Sequence, residues 1–172
     1  IYMTITTFLS MGPQVVGMPV LADENLSGMR SYGLLMSAQG LGAVFGSLLA
    51  AVATPSARLL GPIVMSLAIV RGMGTLLIAA ISSHLQGIVL MTVMGILTGY
   101  SSIIFITWVQ KRVSLEYIGR VMSLVMLAVM GLQPLSQGFS GWFIDVAGVT
   151  TLFLSMGLFM IITSLFALLS AD

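Results

Sequence analysis

Long apolar runs broken by short polar turns dominate the sequence. Six stretches stand out, at 1–22, 31–53, 61–81, 86–109, 121–143 and 149–170. Each is close to the ~20 residues that an α-helix needs to cross a hydrocarbon core. Strict two-residue alternation is absent, so half-buried strands are not indicated. The turns between the runs are Asp23-Glu24-Asn25, Thr54-Pro55-Ser56, Ser82-Ser83-His84, Gln110 to Arg120, and Asp145 to Gly148. The pattern predicts an all-α integral membrane protein, with six transmembrane helices in one bundle over 1–172 and no linker dividing it. Pro13 interrupts the first run, which proline can do in a membrane helix when neighbours satisfy the freed backbone groups.

Composition strengthens this reading. Of the 172 residues, 58% are hydrophobic and 6% charged, where a soluble domain carries about 25% charged residues. Mean hydropathy is +1.13. The formal net charge of +1 suggests neither a nucleic-acid partner nor an acidic substrate. Absence of cysteine removes disulfide and thiol chemistry. The chain starts and stops against apolar runs, Ile1-Tyr2-Met3 and Ala171-Asp172, so a fragment of a longer protein is expected.

Charge in the turns sets the orientation. Arg58, Lys111, Arg112 and Arg120 fall in the second and fourth connections. The odd connections hold Arg30 beside Asp23, Glu24 and Asp145. Positive loops stay cytoplasmic. Both ends are therefore expected on the cytoplasmic side of the plasma (inner) membrane, and the lipid bilayer is the first partner.

Polar and small residues inside the runs supply the candidate chemistry. Gly42 and Gly46 are four apart in the second run, as are Gly95 and Gly99 in the fourth. That spacing stacks small residues on one face and lets helix backbones approach. Ordinary packing explains it, and so does a contact that slides as the bundle changes shape. The first run carries Gly12-Pro13-Gln14, and the fifth carries Gln133-Pro134 with Gln137 one turn on. Proline frees a carbonyl, and an amide is costly in lipid. Broken helices with polar groups at mid-membrane point to transporter substrate sites; a kink with an interhelical hydrogen bond is the plainer alternative. Gln39 and Tyr100 are further cavity candidates, since a buried phenol needs a partner. Trp108 and Trp142 fit interface anchoring. Arg71 is the one charge deep in a run, a functional hypothesis by default, but no acidic residue lies deep in any run to pair with it.

Enzyme chemistry finds little support. Gly138-Phe139-Ser140-Gly141 is similar to the serine motif of the six-span rhomboid proteases. The sole histidine, His84, precedes it in a turn, and a serine without a base is a weak nucleophile. No carboxylate pair lies within a run and no phosphate-binding Gly-x-x-x-x-Gly-Lys loop occurs. No enzyme activity, cofactor or metal is expected.

One stretch is more specific. Gln110-Lys111-Arg112-Val113-Ser114-Leu115-Glu116-Tyr117-Ile118-Gly119-Arg120-Val121-Met122-Ser123-Leu124 leads into Gly131-Leu132-Gln133-Pro134-Leu135 and ends at Gly141-Trp142-Phe143-Ile144-Asp145. It resembles the run joining the tenth and eleventh helices of major facilitator superfamily exporters of the macrolide-efflux and enterobactin-exporter type. About 35 residues match closely, and the rest agrees by span pattern. The resemblance implies the C-terminal half of a twelve-helix transporter, built as a 3+3 inverted repeat, with a missing N-terminal six-helix half as partner. It implies proton-coupled efflux of a small amphipathic molecule by alternating access. It also implies a cavity lined by the first, second, fourth and fifth spans, which hold Gln14, Gln39, Tyr100 and Gln133, with the third and sixth peripheral. The cytoplasmic gating region would include Arg58, Arg112, Glu116, Gly119 and Arg120. The second connection departs from the family pattern, because its acidic residue is absent. A self-contained six-span protein, acting as a dimeric transporter or as a non-transporting scaffold, is the alternative.

Overall fold

A computed structural model describes residues 2–26, 28–52, 60–114 and 116–169. Every element among them is helical. Helix α1 (Tyr2–Gly12), a π-helical turn (Pro13–Gly17) and α2 (Met18–Asn25) follow one another without a gap and make the first rod. The others are α3 (Met29–Val52), α4 (Leu60–Ile78), α5 (His84–Arg112), α6 (Ile118–Ala147) and α7 (Val149–Leu169). Five are long and apolar enough to cross a membrane: the first rod, α3, α5, α6 and α7. The apolar part of α4 is shorter, Ile63–Ile78, against the expected span of 61–81.

The helices extend further into the polar turns than the hydrophobic pattern predicts. Asp23, Glu24 and Asn25 form the last turn of α2, exposed and still helical. The reversal falls instead at Leu26 and Gly28. Gly28 adopts a φ of 95°, a conformation costly for other residues, and its N–H donates to the Ala22 carbonyl. Gly148, at φ 82°, is the single residue between α6 and α7. Ser83 caps α5 by accepting from the Gln86 N–H, while the Gln86 side chain accepts from Ser82, close to a reciprocal capping box. Arg58 and the Thr54-Pro55-Ser56 turn lie outside the described residues.

Rods joined by such short turns run antiparallel to their chain neighbours, but the closest contacts join rods further apart. The first rod packs on α6, α3 on α5, and α4 on α7. The α3–α5 contact is backbone against backbone. A Cβ at Gly42 or Gly46 would overlap the Thr92 or Ile96 carbonyl, and one at Gly95 or Gly99 would overlap the Gln39 or Ala43 carbonyl. Numbering rises together on both helices, so they are parallel. The α4–α7 contact is antiparallel, centred on Gly72 and Gly157, each lying against the other's carbonyl. Exchanging the first three rods for the last three maps this set of pairs onto itself. The lesser contacts of α1 with α7 and of α4 with α5 obey the same exchange.

The core gathers where the first rod meets α3, α5 and α7. Met18, Leu21, Leu26, Leu35, Ile78, Met91 and Phe153 are buried there. Outward faces stay apolar, including Leu41, Phe45 and Leu48 on α3 and Leu124, Leu127 and Met130 on α6. Water would not favour that surface, whereas lipid or protein would.

Candidate functional site

A side chain of α6 reaches into the first rod just ahead of its proline. Ser136 Oγ donates to the Phe8 carbonyl at 2.5 Å and accepts from the Gly12 N–H at 2.8 Å. Those two backbone groups are the ends of one i→i−4 step. A side chain from α6 thus enters the hydrogen-bond ladder of α1 just ahead of Pro13, which has no N–H of its own. Chain geometry downstream relaxes into the π-helical turn Pro13–Gly17, a form frequent at functional sites. Helix α6 continues unbroken through Pro134. Gly12 makes the approach possible, since a Cβ there would overlap Ser136 and Ser140. Phe8 meets Phe139 beside this seam, the ring centres 6.0 Å apart and the planes tilted by 49°.

Next to the seam lies a cavity of about 370 Å³, within the range of small-molecule sites. Helix α1 lines it with Thr6, Thr7 and Ser10, and α5 with Thr98, Ser101 and Ser102. Apolar walls come from Phe105, Val125, Val129, Leu132 and Met160. The one charged lining residue is Arg71 of α4. Several hydroxyls have committed their protons to backbone carbonyls: Ser10 to Thr6, Thr98 to Met94, Ser101 to Leu97. They therefore present acceptor lone pairs to a guest. Behind the cavity is a crevice of about 10 Å³, shared by Ser10, Gln14, Arg71, Thr75 and Met160.

The sequence-derived candidates are dispersed by this geometry. Gln14 lines the crevice with Arg71. Gln39 is half-buried on α3, its carbonyl beneath Gly95. Tyr100, Gln133 and Gln137 are half-buried and line neither space. No residue of α3 lines the cavity, whereas α4 and α7 contribute Arg71 and Met160. That differs from the lining the resemblance implies, in which the second span takes part and the third and sixth are peripheral. The hydroxyl residues escaped sequence reading because serine and threonine in apolar helices normally bond their own backbone. Their clustering, Thr6-Thr7 with Ser10 and Thr98 with Ser101-Ser102, is the signal that was available.

At the far end of α5, Arg112 lies over the Trp108 ring at 4.9 Å, and Arg120 lies 5.8 Å from the Tyr117 ring. Glu116 and Gly119 are exposed beside them. Ser140 is buried against Gly12, its Oγ without a hydrogen-bond partner among the described residues. His84 is exposed at the start of α5. No group of acidic, cysteine and histidine residues suited to a metal occurs among the described residues. Comparison with protein-family models, with curated proteins and with solved structures found no match to this chain.

Proposed function

We propose that the chain is the six-helix half of a secondary transporter of the major facilitator type, which exports a small amphipathic organic molecule across the cell membrane by alternating access. The observation that carries this reading is the pairing of the rods. First with fifth, second with fourth and third with sixth is the pairing expected of two three-helix units related by an inverted repeat, the construction typical of such transporters. The cavity lies between the first and fourth rods, which that repeat would relate, and it has the mixed lining of an organic-molecule site. The small-residue seams, Gly42 and Gly46 against Gly95 and Gly99, and Gly12 against Ser136 and Ser140, give smooth contacts along which rods can shift. A second six-helix half would cover the apolar faces of α3 and α6. Proton coupling belongs to the proposal; its titrating group would be supplied from outside the cavity residues, none of which is acidic. The test is efflux from efflux-deficient bacteria expressing the intact protein and preloaded with amphipathic dyes such as Nile red. Faster, energy-dependent efflux that stops when the proton gradient is collapsed is the expected result. Efflux equal to that of empty-vector cells across neutral, cationic and anionic dyes would defeat the reading.

A further inference from the structure

Arg71 is the feature that the fold uses most conspicuously. It stands in the middle of α4, Leu60–Ile78, and lines both the cavity and the crevice behind it. Two neighbouring contacts fix the rotation of α4 that puts it there. Gly72 is turned onto α7, against Gly157 and Ile161, and Gly74 is turned onto Met94 of α5. The side chain is half-buried, with its Nε enclosed. Thr75, one turn on, donates its hydroxyl to the Arg71 carbonyl. Placing a guanidinium at this depth costs several kcal/mol, which the chain tolerates at this one lining position. Among the described residues no acidic side chain lines either space, and Arg71 is the charged group that the cavity presents.

We propose that Arg71 is the anion-binding subsite of the cavity, and that the transported molecule is an amphipathic organic anion, a carboxylate or sulfonate on an apolar body. The inference rests on the transport reading above and narrows its substrate class. A guanidinium offers several donors in a planar fork matched to carboxylate and sulfonate oxygens. In a low-dielectric cavity that pairing outweighs the same contact in water. Thr98 and Ser101 place acceptors across the same space, suited to hydroxyl or amide hydrogens next to the anionic group. The apolar body would lie along Phe105, Val129, Leu132 and Met160.

The test is equilibrium binding of 2-naphthoate and of 2-naphthamide, matched in shape and differing in charge. The intact protein is held in lipid nanodiscs, and naphthalene fluorescence polarisation is the readout after subtraction of empty discs. The parent protein should bind the carboxylate about tenfold more tightly than the amide, because most of the Coulomb gain of the pair is offset by desolvation of the carboxylate. Arg71→Lys should keep most of that preference, and Arg71→Gln should abolish it, leaving the two probes with equal affinity. Helix content by circular dichroism separates loss of the site from loss of the fold. Equal affinity for the two probes in the parent, including no binding of either, would overturn the proposal, as would a preference that survives Arg71→Gln. Efflux of neutral dyes that persists alongside such a result would leave the transport reading standing and remove only the anion site. Charge-selective binding without efflux of any dye would do the reverse.

Discussion

A single hydroxyl joins the two proline-bearing helices. Ser136 both donates to Phe8 and accepts from Gly12, so its loss removes the side-chain partner of the buried Gly12 N–H and of the half-buried Phe8 carbonyl. Ser136→Ala should lower stability by about 1–3 kcal/mol, the usual cost of an unmet buried polar group. The check is thermal unfolding of purified protein in detergent, with Ser123→Ala, an exposed serine that bonds its own helix, as a near-neutral control. Gly12→Val should be worse, because a Cβ at that position meets the Ser136 carbonyl, which cannot rotate away. Little of this was legible beforehand. The proline and glutamine at Gln133-Pro134 and Gln137 draw attention, while Ser136 between them has the ordinary reading of a serine bonded to its own helix. Only the distant approach of α1 turns it into a bridge. Arg71 is similar: its depth in the sequence was plain, but which way it faces depends on Gly72 and Gly74 finding α7 and α5.

Among the elements, α3 and α5 make the tightest seam, and here the sequence spoke clearly. Residues four apart share a helix face by geometry alone, so Gly42 with Gly46 and Gly95 with Gly99 announced close packing. That the two pairs would interlock with each other required the fold. Other glycines stand in open space, Gly33 and Gly40 on α3 and Gly131 and Gly138 on α6. A paired experiment exploits the difference. Gly99→Leu should cost about 3 kcal/mol or more, since its Cβ meets the Ala43 backbone, and folded yield should collapse in size-exclusion chromatography. Gly40→Leu should leave the stability of this bundle within about 0.5 kcal/mol of the parent. If a second half covers α3, Gly40→Leu should nonetheless depress efflux. Helix ends were the least legible feature. Acidic residues marked a turn at 23–25, yet the backbone there stays helical, because exposed charged side chains satisfy themselves in water without ending the ladder.

For the molecule as a whole, the all-helical architecture follows from run length, although five of the six expected spans reach membrane-crossing length and α4 falls short, while the pairing of rods distant in sequence does not follow. Nothing in a hydrophobic pattern says that the first rod packs more closely on α6 than on α3. The specific contacts at Ser136, Gly99 and Gly157 decide it. This pairing leaves a cavity between α1, α5 and α6 that a transporter would open to each side in turn. The chain contains no cysteine, so a single introduced thiol can report on it against the parent as background. Ser102 lines the cavity and is exposed, which makes Ser102→Cys the natural reporter. The decisive measurement is its labelling by a membrane-impermeant maleimide in right-side-out and in inverted membrane vesicles containing the intact protein. Alternating access predicts labelling from both faces, with rates that shift in opposite directions when a transported dye is added. Labelling from one face alone, or from neither, would contradict it.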